Sequence, residues 1–274
     1  MDGIERSTEL NRAHWNELAD VHGRGISEYY DVDRLIGGGS TLSRIESDGV
    51  DRAVGDLADK DVLHLQCHLG MDAVSLARLG ARVTGADFSP AALARAGEIA
   101  SRCGVQVDFV EADATDLPAA LHENFDLVYA TIGVLNWIGD VDAWMRSVRS
   151  VLRPGGRLLL VDVHPLFAMF RDLQPLEADF PYASAGPVSF DEQGSYADKD
   201  AVLSSSATVE FAHSLGEVVT AAVGARLHIE YLQEHLECDF DPRGILEADA
   251  DGLFRMRLGG RPAPVLYSIV ASRT

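Results

Sequence analysis

Apolar positions recur with two periods along this chain, and the places where the period changes mark out its elements. From Asp61 onward, short runs of β-forming residues alternate with stretches whose apolar residues return every three or four positions. That alternation predicts a parallel sheet covered by helices on both faces. Strands are expected at Val62 to Gln66, Arg82 to Asp87, Val105 to Val110, Phe125 to Thr131 and Gly156 to Val163, with helices at Met71 to Leu79, Pro90 to Arg102 and Val141 to Leu152. Ser89 is the expected N-cap of the second helix and Pro90 its first residue.

Regularity lapses over about 165–213, where prolines, serines and the short alternating runs VSF and TVEF predict an irregular insertion holding a β-hairpin. It returns at Ser214, which with Glu217 makes a capping box for a helix to Ala225. Leu227 to Leu236 is the sixth strand, a second insertion fills about 237–262, and Pro264 to Ser272 is the last strand. Upstream, Leu10, Ala13, His14, Leu18 and Val21 predict an amphipathic helix, and Leu42, Ile45, Val50, Val54 and Leu57 a second one interrupted near Gly49. Residues 1–60 are too few for a core of their own, so they are expected to form a helical lid over a single domain at 61–274.

Composition narrows the partners. With 23 Lys+Arg against 43 Asp+Glu the net charge is −20, which argues against a nucleic acid. The hydrophobic fraction is 47% and the mean hydropathy +0.01, and no apolar run approaches the roughly 20 residues of a membrane span, so no membrane partner is expected. The acidic, polar first residues lack a secretory pattern, which predicts a cytoplasmic location. Cys67, Cys103 and Cys238 are odd in number and lack metal-ligand spacing, so free thiols and no metal site are expected.

Ligands of open α/β sheets bind beyond the carboxyl ends of the strands, so the strand ends name the candidate site. Strand one ends in Gln66, Cys67, His68 and Gly70, where a turn opens into a helix whose N-terminal N–H groups face the ligand. Strand two ends in Asp87, Phe88 and Ser89, with Asp87 near the spacing of a ribose-binding carboxylate. Strand three ends at Asp113 and Ala114, where a carboxylate can accept from an adenine amino group, and strand four at Thr131 and Ile132. A dinucleotide fingerprint would need three glycines at fixed spacing, and only Gly70 is present.

The succession VLHLQCHLG, GADFSP, VEADATDLP, FDLVYATIGVLNWIGD and LRPGGRLLLVD resembles the class I S-adenosylmethionine-dependent methyltransferases. His64, Gln66 and His68 stand where the usual first motif has an acidic residue and glycines, and the LHLQCHxG form is similar to that of a bacterial branch acting on small molecules. The resemblance implies an α/β fold with a Rossmann-like, doubly wound sheet of seven strands, mostly parallel with an antiparallel last strand. It also implies S-adenosyl-L-methionine as cofactor, its methionine part on the first loop, its ribose on Asp87 and its adenine against Phe88 and Asp113.

Methyl transfer requires the acceptor held in line with the bond to be broken, with water excluded, and a base where the nucleophile carries a proton. His164, past strand five, and His213, before the capping box, are the candidate bases, and Asn136 and Trp137 candidate substrate contacts. Trp15 and Tyr30 are expected in the lid, on the substrate and the cofactor respectively. The predicted reaction is methyl transfer to an O or N atom of a small molecule. Two alternatives are an enzyme that binds S-adenosylmethionine but catalyses a rearrangement or decarboxylation, and a nicotinamide-dependent oxidoreductase. Neither the acceptor nor the oligomeric state is legible in the sequence.

Overall fold

The computed structural model describes residues 3–24, 28–183 and 186–274. Five strands come first: β1 (Asp61–Leu65), β2 (Arg82–Asp87), β3 (Asp108–Glu111), β4 (Phe125–Thr131) and β5 (Leu152–Val163). A hairpin of β6 (Val188–Asp191) and β7 (Ala207–Glu210) follows, then β8 (Leu227–His235), a second hairpin of β9 (Met256–Leu258) and β10 (Arg261–Ala263), and β11 (Leu266–Arg273). The helices are α1 (Gly3–His22), α2 (Val32–Ile36), α3 (Arg44–Ala53), α4 (Met71–Arg78), α5 (Pro90–Arg102), α6 (Val141–Val151), α7 (Pro165–Ala168) and α8 (Leu215–Gly224).

The central sheet has seven strands in the order β3-β2-β1-β4-β5-β11-β8. The first five are parallel, and β11 runs antiparallel to both its neighbours, as expected for a Rossmann-like α/β fold. Alternate residues of the central strands feed two cores. Leu63, Leu65, Val128 and Ala130 pack with Trp144 and Met145 of α6 and Ala222 of α8, whereas Val62, Leu127 and Val161 pack with Ile45 of α3 and Leu76 of α4. Strand order reverses between β1 and β4, which opens a crevice at their carboxyl ends.

Several boundaries depart from expectation for local reasons. The third strand starts three residues later and ends one residue later than predicted, because only Asp108–Glu111 finds ladder partners in β2. The fifth strand begins early, at Leu152, and passes Pro154 through a shift in its register against β4. Helix α3 is not interrupted at Gly49. A Cβ there would lie 2.8 Å from Leu159 Cδ1, so the glycine lets the helix settle directly on β5.

The first insertion does contain the hairpin, built from the VSF and TVEF runs. Helix α1 packs on α5 and on β7. Asn11 fastens it there, donating to the Val209 carbonyl at 2.8 Å and accepting from the Val209 N–H at 2.9 Å. The N-terminal helix and the insertion therefore form one cover beside the crevice.

Candidate active site

A cavity of about 1530 Å³ lies over the carboxyl ends of β1 to β4, walled by the N-terminal segment, the first insertion and 239–243. Its floor is the turn after β1. Gly70 sits at φ +64° as the residue preceding α4, and a Cβ there would lie 2.9 Å from the Phe109 ring and 3.0 Å from Ala96 Cβ. Only glycine fits that conformation and that gap. Gln66 and His68 also have positive φ, at 57° and 46°, strain that the contacts around them hold in place.

Those contacts define what the two side chains do. Gln66 donates from Nε2 to the Val134 carbonyl at 3.0 Å and accepts from Trp144 Nε1–H at 2.9 Å, so its amide clamps the β1 turn to the β4 turn and to α6. His68 Nε2 meets His22 Nδ1 at 2.9 Å, and its ring packs edge-on against Trp15 and Tyr30. Burial pushes both imidazoles toward the neutral form, His22 down to about 3, so one donates and the other accepts. Tyr30 stacks on His22 with ring centroids 4.5 Å apart, and its hydroxyl reaches that of Tyr196 at 2.5 Å. Trp15 also meets Trp137 edge to face at 5.2 Å.

Asp87 is 6% exposed at the end of β2. Its Oδ2 accepts from the His68 N–H at 2.8 Å and its Oδ1 from the Ser89 N–H at 2.9 Å. Burial raises its carboxyl to about 6 despite those bonds, which act in the opposite direction. Each carboxylate oxygen has a second lone pair, so a diol above it finds acceptors in place. Asp113 accepts from the Thr115 N–H and hydroxyl through Oδ1, leaving Oδ2 outside those bonds. Phe88, Ala114, Thr131, Ile132 and Cys67 line the same cavity, with Cys67 buried and its thiol raised by burial.

Two expected residues are placed elsewhere. Ser89 does not line the cavity: it is fully buried, caps α5 by accepting from the Ala92 N–H at 3.1 Å, and donates to Asn16 Oδ1. His164 is turned away as well, because its Nδ1 accepts from the Leu166 N–H at 3.1 Å at the start of α7 and its Nε2 lies 2.8 Å from Glu234. Both ring nitrogens are thereby engaged outside the cavity. His213 does line it, with Nε2 at 2.6 Å from the Ile138 carbonyl. Asn136 lines it too, donating to Glu210 Oε2 at 3.1 Å.

Some lining residues were not expected. Glu210, at the end of β7, is raised by burial beside Asn136. Asp162, at the end of β5, accepts from the Gly133 N–H at 2.6 Å and the Leu135 N–H at 3.0 Å, which props the β4 turn. Glu46, buried, and Asp72, half-buried, form a carboxylate pair on the far wall. Asp162, being a strand-end residue, carried the one signal that could have found it.

Residues 62–156 match a family model described as a methyltransferase domain. A ubiquinone biosynthesis O-methyltransferase of Xanthomonas euvesicatoria is 36% identical over 42% of this chain and 48% of its own length. A demethylmenaquinone methyltransferase of Thermus thermophilus is 37% identical over 51% of this chain and 63% of its own. The chain thus spans about half to three-fifths of the length of these curated relatives. Among solved structures, an S-adenosylmethionine dependent methyltransferase from Mesorhizobium loti superposes with a TM-score of 0.52 at 21% identity, covering 83% of this chain and 97% of that one.

Proposed function

We propose that this chain, whose residues 62–156 carry a methyltransferase domain of the S-adenosylmethionine-dependent kind, transfers a methyl group from that cofactor to an O or N atom of a small molecule held in the cavity. The observation that carries the reading is the tie between the turn after β1 and Asp87: the His68 and Ser89 N–H groups hold a buried carboxylate at the cavity floor, whose charge is costly until further donors reach it. Both features suit a nucleoside with its ribose diol on Asp87. Phe88 and Asp113 then meet the base, and the turn at 66–70 the amino-acid tail. When bound, S-adenosylmethionine supplies an activated methyl group on its sulfonium.

The remaining work falls to the chain. Trp15, Trp137 and Tyr30 exclude water from the region above the β1 turn, where their rings converge with His68. Phe180, Phe190 and Tyr182 extend an aromatic lining toward the first insertion, which suits an aromatic acceptor of the kind the relatives' names imply. Asn136, in the turn after β4, and Glu210, at the end of β7, orient the acceptor. With its Nε2–H given to the Ile138 carbonyl, His213 keeps a lone pair on Nδ1 with which to take the acceptor's proton.

The experiment incubates the protein with isotope-labelled S-adenosylmethionine and a metabolite extract and identifies the labelled product. A labelled compound appearing together with S-adenosylhomocysteine is the expected result. Cofactor binding with no release of S-adenosylhomocysteine would replace transfer by a non-methylating reaction.

A further inference from the structure

Beneath the turn after β1, on the α3 and α4 side of the sheet, the cavity reaches two carboxylates that face one another. Tyr129 donates its hydroxyl proton to Glu46 Oε1 at 2.9 Å and stands 3.3 Å from Asp72 Oδ2. Thr41 donates to Asp72 Oδ1 at 2.5 Å, and the Ser43 N–H to Glu46 Oε2 at 2.7 Å. Four elements supply this cluster: Glu46 from α3, Asp72 from the first turn of α4, Tyr129 and Thr131 from β4, and His64 from β1. All line the cavity except Tyr129, which lies behind them with no exposed surface.

The cluster is acidic without a counter-charge. Among the described residues neither carboxylate has a cationic side-chain partner. Burial and mutual repulsion raise Glu46 to about 7, and burial raises Asp72. His64, whose ring packs edge-on against Tyr129, is driven down to about 3 by burial and stays neutral. Hydroxyls relieve part of the cost of two adjacent carboxylates in a cavity wall, but a bound cation relieves far more.

Two further polar atoms point to what that cation is. Thr131 is 8% exposed, and its Oγ1 is close enough to influence both carboxyls yet makes no hydrogen bond of normal geometry. His64 is 3% exposed and its Nδ1 has no partner. An ammonium group has three N–H donors and no acceptor, so it needs three acceptors around it. Glu46, Asp72 and Thr131 Oγ1 are such a set. Among the described residues no group of three or more His, Cys, Asp or Glu is arranged to hold a metal ion.

We infer that Glu46 and Asp72, with Thr131, form a seat for a primary ammonium group carried by a bound small molecule. The inference rests on the methyltransferase reading for one of its two sources, the ammonium of the cofactor's amino-acid tail. Asp72 lies two residues past Gly70, beside the turn assigned to that tail. The other source of the same chemistry is an amine acceptor.

The test uses S-adenosylhomocysteine and methylthioadenosine, both neutral thioethers, of which only the first carries the tail. Calorimetric affinities for each are measured on wild type, Glu46→Gln, Asp72→Asn and the double variant, with folding checked by circular dichroism and thermal melting. Both substitutions keep side-chain shape. Thr131→Val, which removes only the third acceptor, serves as a second probe. If the tail is the source, the double variant binds S-adenosylhomocysteine at least about thirtyfold more weakly while methylthioadenosine affinity stays within about twofold, and Thr131→Val loses a smaller factor in the same ligand only.

The second arm titrates phenethylamine into protein saturated with S-adenosylhomocysteine. Binding to wild type but not to the double variant, with S-adenosylhomocysteine affinity unchanged, assigns the seat to an acceptor amine. If folded variants match wild type for S-adenosylhomocysteine, and phenethylamine does not tell them apart, the ammonium seat is overturned while the methyltransferase reading stands. Wild type that binds neither thioether removes the methyltransferase reading itself, and phenethylamine alone then decides the seat in unloaded protein by the same comparison.

Discussion

The backbone N–H of His68 donates to Asp87 Oδ2 at 2.8 Å, so the turn after β1 and the carboxylate at the end of β2 are one unit. On the proposed reading, the residue that would offer its charge to a diol also holds the loop assigned to the rest of the ligand. Loss of Asp87 therefore acts twice, through lost acceptors for the ligand and through two backbone donors, of His68 and Ser89, left without their partner.

Asp87→Ala is accordingly expected to weaken cofactor binding by about 1.5 to 3 kcal/mol, and to lower stability by about 1 to 3 kcal/mol from the orphaned N–H groups. Calorimetry and urea unfolding measure the two effects separately. Unchanged affinity removes Asp87 from the site.

Cofactor affinity should also depend on pH through this carboxyl. Hydroxyl donors favour the ionised form, so binding is full strength above the carboxyl's value of about 6 and declines by up to about tenfold per unit as pH falls below it. The linkage to stability has the opposite sign. The folded value lies above the unfolded 3.8, so burial of the charge costs stability above about pH 6, and that cost is relieved as pH falls toward 3.8. Affinity measured across pH 5 to 8 in wild type and Asp87→Asn checks the first sign, because the variant should lose this part of the pH dependence.

Gly70→Ala should destabilise the fold by at least about 2 kcal/mol, combining a left-handed backbone with a Cβ pressed against Phe109 and Ala96. Adding Phe109→Ala opens the space but not the backbone, so it should restore less than half of the loss. Full recovery in denaturant unfolding would locate the whole cost in the clash.

The two histidines proposed from sequence should now separate. His164→Ala is expected to cost about 1 kcal/mol of stability through the start of α7 while leaving turnover within about twofold, since neither ring nitrogen faces the cavity. His213→Ala is expected to lower kcat about a hundredfold with cofactor affinity unchanged. Steady-state kinetics on both variants is the check, and a large kcat loss for His164→Ala with stability intact would reverse the assignment.

Where the sequence was most informative, local physics decided the outcome. The bounds of β2, β4 and α5 are those the pattern predicts, and the Ser214–Glu217 capping box is formed, because periodicity and end-capping act over a few residues. A strand end fixes where a Cα lies, which is why Asp87 and Asp113 were legible in the cavity, but not where a side chain turns, which is why His164 was misread. Glu46 was invisible for another reason: a charged residue on an amphipathic helix reads as surface, and only its contact with Tyr129, 83 positions away, makes it interior. The Gln66 amide took its meaning in the same way, from Trp144 in a helix 78 positions later.

The hydroxyls of Tyr30 and Tyr196 meet across 166 positions of chain, and between them close one wall of the cavity. Such a wall closes a loop of more than half the chain, and contacts of that separation pay their loop-closure entropy late. The stretch that matches the methyltransferase family model, 62–156, holds Gly70, Asp87 and Asp113 but supplies neither tyrosine. A nascent or truncated chain ending there would hold Gly70, Asp87 and Asp113 together with Trp15, Tyr30 and Trp137, but would lack the wall that Tyr196 and the first insertion supply.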